Sequence, residues 1–245
     1  GGNGCFDDDG ILYKKNSYTE VQTLIKCPNS KGVKEYTVLE GTSSISVKAF
    51  VNKQTLTKLV VPGTVTTIGA NAFQNNTYLG EITLEAGVTT VGDYAFQNCT
   101  YLKTLTLSEG LKTIGIYAFE NCDVIKSVVI PDTVTSIGRY AFYGCALLEE
   151  VDLGRGLTSL AEQTFGQCPK LTTVTISDAL STIRPENDYT SGYRYGKTDS
   201  SSGSTSYPLG SFQGSPITTI NVPSTVTSIP ANLYHYSTIA EFICE

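Results

Sequence analysis

Cys99, Cys122, Cys145 and Cys168 stand 23 residues apart. Four thiols are the ligand set of a structural zinc site, but a tetrahedral site needs its ligands to converge. A constant spacing instead predicts one sulfur per repeated unit. If the units stack like neighbouring strands, about 4.8 Å apart, the sulfurs form a line. Asn76 occupies the same slot one interval earlier. A slot shared by Cys and Asn reads as an inward ladder that fills space or makes hydrogen bonds, with the thiols reduced, buried and free of metal. The other candidate groups are sparse. His235 is the one histidine, beside Tyr234 and Tyr236, and no motif supplies it with a Ser, Asp or Cys partner. "FDDDG" (6–10) carries three carboxylates but not the later oxygen ligands of a calcium loop, and reads as a surface turn. Glu150 and Asp152 are two apart and share one face of a strand, next to Glu149. A glycosidase pair needs one such carboxyl desolvated in a pocket; a solvated acidic patch is the better reading. Cys5 and Cys27 could pair across an N-terminal hairpin, a connectivity that spacing does not decide. No catalytic set, metal site or cofactor is expected, and the chain is not read as an enzyme.

The bulk composition narrows the partners. The chain has 245 residues, 40% of them apolar and 16% charged, with a net charge of −6. It has no run of Lys and Arg, which argues against nucleic acid and anionic membrane surfaces as partners. No apolar stretch approaches the length of a membrane span, so no membrane insertion is expected within it. It opens "GGNGC" and contains no Met. It therefore reads as a piece whose true start, with any export signal, lies outside it.

What must position these residues is a repeat. "YAFQNCTYLKTLTL" (94–107) returns 23 residues later as "YAFENCDVIKSVVI" and again as "YAFYGCALLEEVDL". Phe50, Phe73, Phe96, Phe119, Phe142 and Phe165 keep the interval. So do Leu59, Ile82, Leu105, Val128, Val151 and Val174, the row from Val38 through Leu107 to Ile176, and the row from Ile45 through Ile114 to Ile183. Within a unit, "TLTL" alternates apolar and polar, the pattern of a strand with one buried face. A Gly- or Pro-bearing turn follows, then a second extended piece ending "TIG", then "YAFENC", which is read as one helical turn. One unit cannot bury its own apolar row, so units must stack. The expected fold is an α/β-type repeat solenoid with a 23-residue period, little helix, and nine strands in one parallel sheet. "GILYKKNSYTEVQTLIKC" (10–27) reads as two strands about a turn. Residues 1–32 are thus expected to cap a solenoid that spans 33–245 as a single elongated domain.

"IKSVVIPDTVTSIGRYAFYGC" (125–145) follows the pattern L-x-x-I-x-I-P-x-x-V-x-x-I-G-x-x-A-F-x-x-C and resembles the BspA-type leucine-rich repeat family. "DDDGILYKK" with the later "YTVLEG" resembles the degenerate opening unit of that family. The resemblance covers 33–183 and 209–245 strongly and the first 32 residues weakly. It implies a right-handed solenoid on a secreted or surface-attached bacterial protein that binds host or microbial partners. The motif specifies the fold far better than the ligand.

The rows fail after Ile183 and resume at Phe212, Ile217, Ile220 and Val222, in phase at twice 23. Residues 184–208 are read as a loop pushed out of the stack, either a decayed unit or an insertion. Half of it is Ser- and Gly-rich, yet it carries Tyr189, Tyr193, Arg194, Tyr195 and Tyr207, residue types enriched at binding hot spots. The outward strand positions include Thr104, Thr106, Glu150, Asp152, Thr173 and Thr175. Thr is an ordinary strand surface residue, and it also makes an adaptable hydrogen-bonding face. Tyr94, Tyr117 and Tyr140 form another row, readable as recognition surface or as plain solenoid exterior. The expected function is a non-enzymatic binding module for a protein partner, in adhesion or protein–protein interaction. A glycan-binding module and a structural spacer are the alternatives.

Overall fold

The computed structural model describes residues 4–15, 22–28, 32–177, 179–180, 182–183, 211–222, 224 and 241–244. Each 23-residue unit makes one coil of a β-solenoid. On one side lie β4 (Glu35–Thr37), β6 (Lys58–Val61), β8 (Glu81–Leu84) and β10 (Thr104–Leu107), followed by β12 (Ser127–Val129), β14 (Glu150–Asp152), β16 (Thr173–Thr175), β18 (Thr219–Val222) and β19 (Glu241–Cys244). Pairing is parallel and in register with the repeat: Leu105 lies opposite Ile82 and Val151 opposite Val128. Because the side chains of a strand alternate, Leu59, Ile82, Val128, Val151 and Val174 all point inward and are buried.

The nine strands are present, but not as one sheet. They form a four-stranded ladder ending at β10 and a five-stranded ladder starting at β12, with no pairing between the two. Leu105 and Val128 are therefore not ladder partners, and Leu105 and Leu107 are only partly buried where their row-mates are enclosed. The second side of the coil holds β5 (Thr42–Ile45), β7 (Thr67–Ile68), β9 (Thr90–Val91), β11 (Thr113–Ile114) and β13 (Ser136–Ile137) in one continuous parallel run. Past it, β15 (Ser159–Leu160) pairs with β17 (Thr182–Ile183). The N-terminal strands β1 (Gly4–Phe6), β2 (Leu12–Lys15) and β3 (Gln22–Lys26) are antiparallel to one another, and β3 then pairs parallel with β5. The Asp7 carboxylate closes the turn before β2 by accepting from Ile11 N at 2.7 Å. It also accepts from the Tyr36 hydroxyl, which is itself bonded to the Tyr13 hydroxyl.

The described residues contain no helix, and the repeat solenoid of little helix that the period predicts is built from strands and turns. "YAFENC" is not a helical turn. Tyr117 and Asn121 are left-handed, with φ of 55° and 55°, and the pair recurs as Tyr94 and Asn98 at 58° and 60°. A helical turn would spend its amides within its own chain. Here every second amide reaches the next coil: Tyr94 N donates to Ile116 O, Phe96 N to Ala118 O and Asn98 N to Glu120 O, each at 2.8 Å, while Ala95 N, Gln97 N and Cys99 N bond back three residues at 3.2–3.3 Å. Gly115, after β11, packs so closely that a Cβ would lie 2.5 Å from the backbone of the preceding coil. That close approach is why the "TIG" glycine recurs.

The core is a column of rings. Phe50, Phe73, Phe96, Phe119, Phe142 and Phe165 are fully buried and stacked, with centroids 5.1–5.3 Å apart. Tyr36 closes one end at 5.3 Å and Phe212 continues the other at 5.6 Å. Phe212 thus stacks directly on Phe165, and β16 pairs directly with β18. No coil stands between them. Ser211, the next described residue after β17, belongs to the same coil: Phe165 N donates to Ser211 O at 2.9 Å.

Candidate functional site

At the corner after each Phe, a buried backbone carbonyl faces the next coil. Cys99 Sγ donates to Phe73 O at 3.5 Å, Cys122 Sγ to Phe96 O at 3.6 Å, Cys145 Sγ to Phe119 O at 3.5 Å and Cys168 Sγ to Phe142 O at 3.2 Å. Asn76 Nδ2 does the same for Phe50 O at 2.8 Å and Ser215 Oγ for Phe165 O at 2.8 Å. The thiols run in a line and each points at a carbonyl of the coil before it. Burial pushes the Cys99 thiol up to about 12 and the Cys122 thiol well above its ordinary value. These groups are neutral donors, not nucleophiles. Cys27 is also a buried thiol; it stands in line with the Phe column, and its Sγ lies 3.7 Å from Pro28 O. The Cys5 side chain lies outside the described residues.

A second polar ladder was not read from the sequence. Asn75 Nδ2 donates to Asn52 Oδ1 at 2.9 Å, Asn98 Nδ2 to Asn75 Oδ1 at 2.8 Å and Asn121 Nδ2 to Asn98 Oδ1 at 2.9 Å. All four residues have φ between 55° and 60°, where Asn is among the better-tolerated side chains. The signal was present as an Asn just before the Cys slot at the same interval. The Phe and Cys rows drew the reading away from it.

The outer strand face holds the residues expected to bind. Thr104 and Thr106 project from β10, Glu150 and Asp152 from β14, and Thr173 and Thr175 from β16. Register puts Glu150 beside Thr173 and Asp152 beside Thr175, and Asn221 Nδ2 donates to Thr175 Oγ1 at 3.1 Å. The structure therefore brings Glu150, Asp152, Thr173 and Thr175 together. The interruption between β10 and β12 separates them from Thr104 and Thr106. Partial burial raises the Asp152 carboxyl, with the charges of Asp132 and Glu150 adding to it. Val129 is 65% exposed on the same face, and Tyr78 and Tyr101 stack at its margin, 53% and 56% exposed, with ring centres 5.7 Å apart. Sequence reasoning missed that pair, whose signal was two Tyr 23 residues apart. Tyr94, Tyr117 and Tyr140 stack at 5.1 and 4.7 Å on another side of the coil, so both faces of the Tyr117 ring are covered. Tyr189, Tyr193, Arg194, Tyr195, Tyr207 and His235 lie outside the described residues.

The family model for the BspA type leucine rich repeat region matches here in six copies, across residues 27–145 and 112–240. The chain belongs to the BspA-type leucine-rich repeat family. No curated protein matches it in sequence. Among solved structures, the leucine-rich repeat protein of T. pallidum is 26% identical, with a TM-score of 0.62 over 67% of this chain and 78% of its own. A leucine-rich repeat protein from Eubacterium ventriosum is 25% identical, with a TM-score of 0.69 over 94% of this chain and 52% of its own. One from Bacteroides ovatus, at 22% identity and a TM-score of 0.65 over 91% of this chain, shares the fold. The chain spans 62% of that protein's length. Within this BspA-type solenoid no group of three His, Cys, Asp or Glu side chains could hold a metal ion among the described residues. Among the described residues there is no helix long and apolar enough to cross a membrane.

Proposed function

We propose that this solenoid is a non-enzymatic binding module of a secreted or cell-surface bacterial protein, and that its partner is another protein, of host or microbial origin. The observation that carries the reading is the composition of the strand face. It joins hydrogen-bonding side chains at Thr104, Thr106, Glu150, Asp152, Thr173 and Thr175 to exposed apolar surface at Val129, Tyr78 and Tyr101. Exposed Tyr beside polar groups is the composition of protein recognition surfaces. Repetition extends that face across many coils, the way solenoids build large contact areas. Family membership supports the reading at the level of a repeat module. One structural neighbour, the pneumococcal vaccine antigen PcpA, fits a surface location; at 19% identity that likeness is one of fold. We assign the loop 184–208, with Tyr189, Tyr193, Arg194, Tyr195 and Tyr207, to the same binding surface.

A glycan partner is favoured less. Sugars stack on open aromatic faces, whereas Tyr117 is covered on both faces and Tyr78 and Tyr101 each cover one face of the other. The test is a side-by-side screen of immobilised extracellular proteins and a glycan array. Double replacement of Tyr101 and Glu150 by Ala is expected to weaken capture of a protein ligand at least tenfold while leaving the melting temperature near the parent's. Capture by glycans alone, or protein capture indifferent to these replacements, overturns the assignment.

A further inference from the structure

The two sides of the solenoid are interrupted at successive boundaries. On the strand side one ladder ends at β10 and the next begins at β12; on the second side one ends at β13 and the next begins at β15. The coil that carries β12 and β13 is therefore laddered to the coil before it through β11 and β13, and to the coil after it through β12 and β14. Every earlier boundary, from β4 and β5 to β10 and β11, is paired on both sides. The corner runs unbroken through both interrupted boundaries. Phe119 stacks on Phe142 at 5.1 Å and Phe142 on Phe165 at 5.2 Å, while Phe119 N donates to Ala141 O at 2.7 Å and Phe142 N to Thr164 O at 2.8 Å.

The second-side break coincides with one change of residue. The position after the short strand is Gly69, Gly92, Gly115 and Gly138 in four successive coils, and Ala161 in the next. A Cβ at those glycines would lie 2.7, 2.8, 2.5 and 2.6 Å from backbone atoms of the coil before, closer than real Cβ contacts come. Each glycine amide depends on that approach: Gly69 N donates to Ile45 O, Gly92 N to Ile68 O, Gly115 N to Val91 O and Gly138 N to Ile114 O, at 2.8–2.9 Å. Ala161 brings the Cβ, and among the described residues its amide makes no bond to Ile137 O. Nor does Ser159 N bond to Thr135 O, the counterpart of Ser136 N to Lys112 O at 3.3 Å. Ser46 holds this position in the first coil and keeps its bond to Leu24 O at 2.8 Å, but behind it lies the hairpin strand β3, where Leu24 pairs with Ile45 only 21 residues on and the register is not that of the repeat.

We propose that the Ala161 methyl group is a wedge that keeps β15 off β13, and that the coil of β12 and β13 is thereby the hinge of the solenoid, with the Phe column as its spine. Bending at the open sides breaks no strand pairing, whereas bending at any earlier boundary must open a ladder, and segments move where least is lost. With the strand face as the recognition surface, the hinge sets the angle between Thr104 and Thr106 on one block and Glu150, Asp152, Thr173 and Thr175 on the other.

Amide exchange tests the wedge without any ligand, and so independently of what the strand face binds. In Ala161→Gly the protection factors of the amides at 159 and 161 should rise about fivefold or more over the parent, as for one hydrogen bond regained. Glycine by itself loosens a backbone, so a rise reports the closed contact. Ala161→Ser keeps the Cβ and should exchange like the parent. Gly138→Ala sets the same wedge one coil earlier and should lower protection at 136 and 138; if it does not fold, the two Ala161 variants decide. For the hinge, spin labels are placed at Thr67→Cys and Ser159→Cys, two exposed second-side positions on either side of it. Their distance distribution should be narrower, with a shorter mean, when Ala161→Gly is added. Unchanged protection in Ala161→Gly overturns the wedge, and label distances of equal mean and width in the two backgrounds overturn the hinge.

Discussion

A carbonyl buried at every coil corner, with no strand beside it, sets the identity of one residue per repeat. Phe50, Phe73, Phe96, Phe119, Phe142 and Phe165 each present one, and Asn, Cys or Ser fills the slot facing it. The slot wants a donor of small volume and offers nothing to satisfy a second acceptor. Asn76 shows the difficulty: its Oδ1 is buried with no partner among the described residues. A thiol donates weakly and leaves no demanding acceptor behind, which explains why Cys holds four successive slots. Replacing Cys122 with Ser should therefore change stability by less than about 1 kcal/mol. Cys122→Val, close in volume, orphans Phe96 O and should cost about 1–3 kcal/mol by urea denaturation. In the same samples a thiol reagent should find the native Cys99, Cys122, Cys145 and Cys168 unreactive at neutral pH and accessible after unfolding. The raised values of Cys99 and Cys122 make their thiolates scarce in the folded state. Stoichiometric zinc in purified protein would sink this account of the slot.

At the scale of the element, what was legible depended on how much of a signal sat in side-chain identity. The Phe column could be read outright because six identical residues keep one interval and aromatic rings must go inside. Phe119 lies between Phe96 at 5.3 Å and Phe142 at 5.1 Å and is fully enclosed. Its replacement by Ala should cost about 3–5 kcal/mol in equilibrium unfolding. A cost below about 1 kcal/mol would mean that neighbouring coils collapse onto the gap and the column is not a continuous support. The corner after the column was misread as a helical turn. Composition does not show that every second amide there points along the stack to the next coil. Tyr94, Tyr117 and Tyr140 sit there at positive φ, a conformation that costs about 1–2 kcal/mol for such a side chain. Each is held by an amide bond to the coil ahead and by ring stacking on its neighbours. The interrupted sheet escaped for another reason. The apolar rows keep their interval through Leu105 and Val128, so nothing in side-chain identity marks the break between β10 and β12.

For the molecule as a whole, the question is what the sequence between β17 and Ser211 contributes. The stack ignores it: Phe165 N donates to Ser211 O at 2.9 Å, Gln167 N to Gln213 O at 2.8 Å, and β16 registers directly on β18. Ring stacking of Phe212 on Phe165 and the β16–β18 pairing put no coil between those two strands. A long polar segment carries an ordering entropy or a proteolysis risk. Loops of this length in compact proteins are usually functional or disordered. Removing 185–207 should leave the Phe165–Phe212 stack and the β16–β18 ladder intact, and the shortened protein should melt within a few degrees of the parent. If the loop belongs to the recognition surface, the shortened protein should lose at least tenfold in affinity for a protein ligand captured by the parent, and Tyr193 and Arg194 replaced together by Ala in the full chain should reproduce much of that loss. A shortened protein that melts normally and binds every captured ligand as the parent does would leave recognition to the strand face alone. A large fall in melting temperature would show instead that the excursion is part of the scaffold.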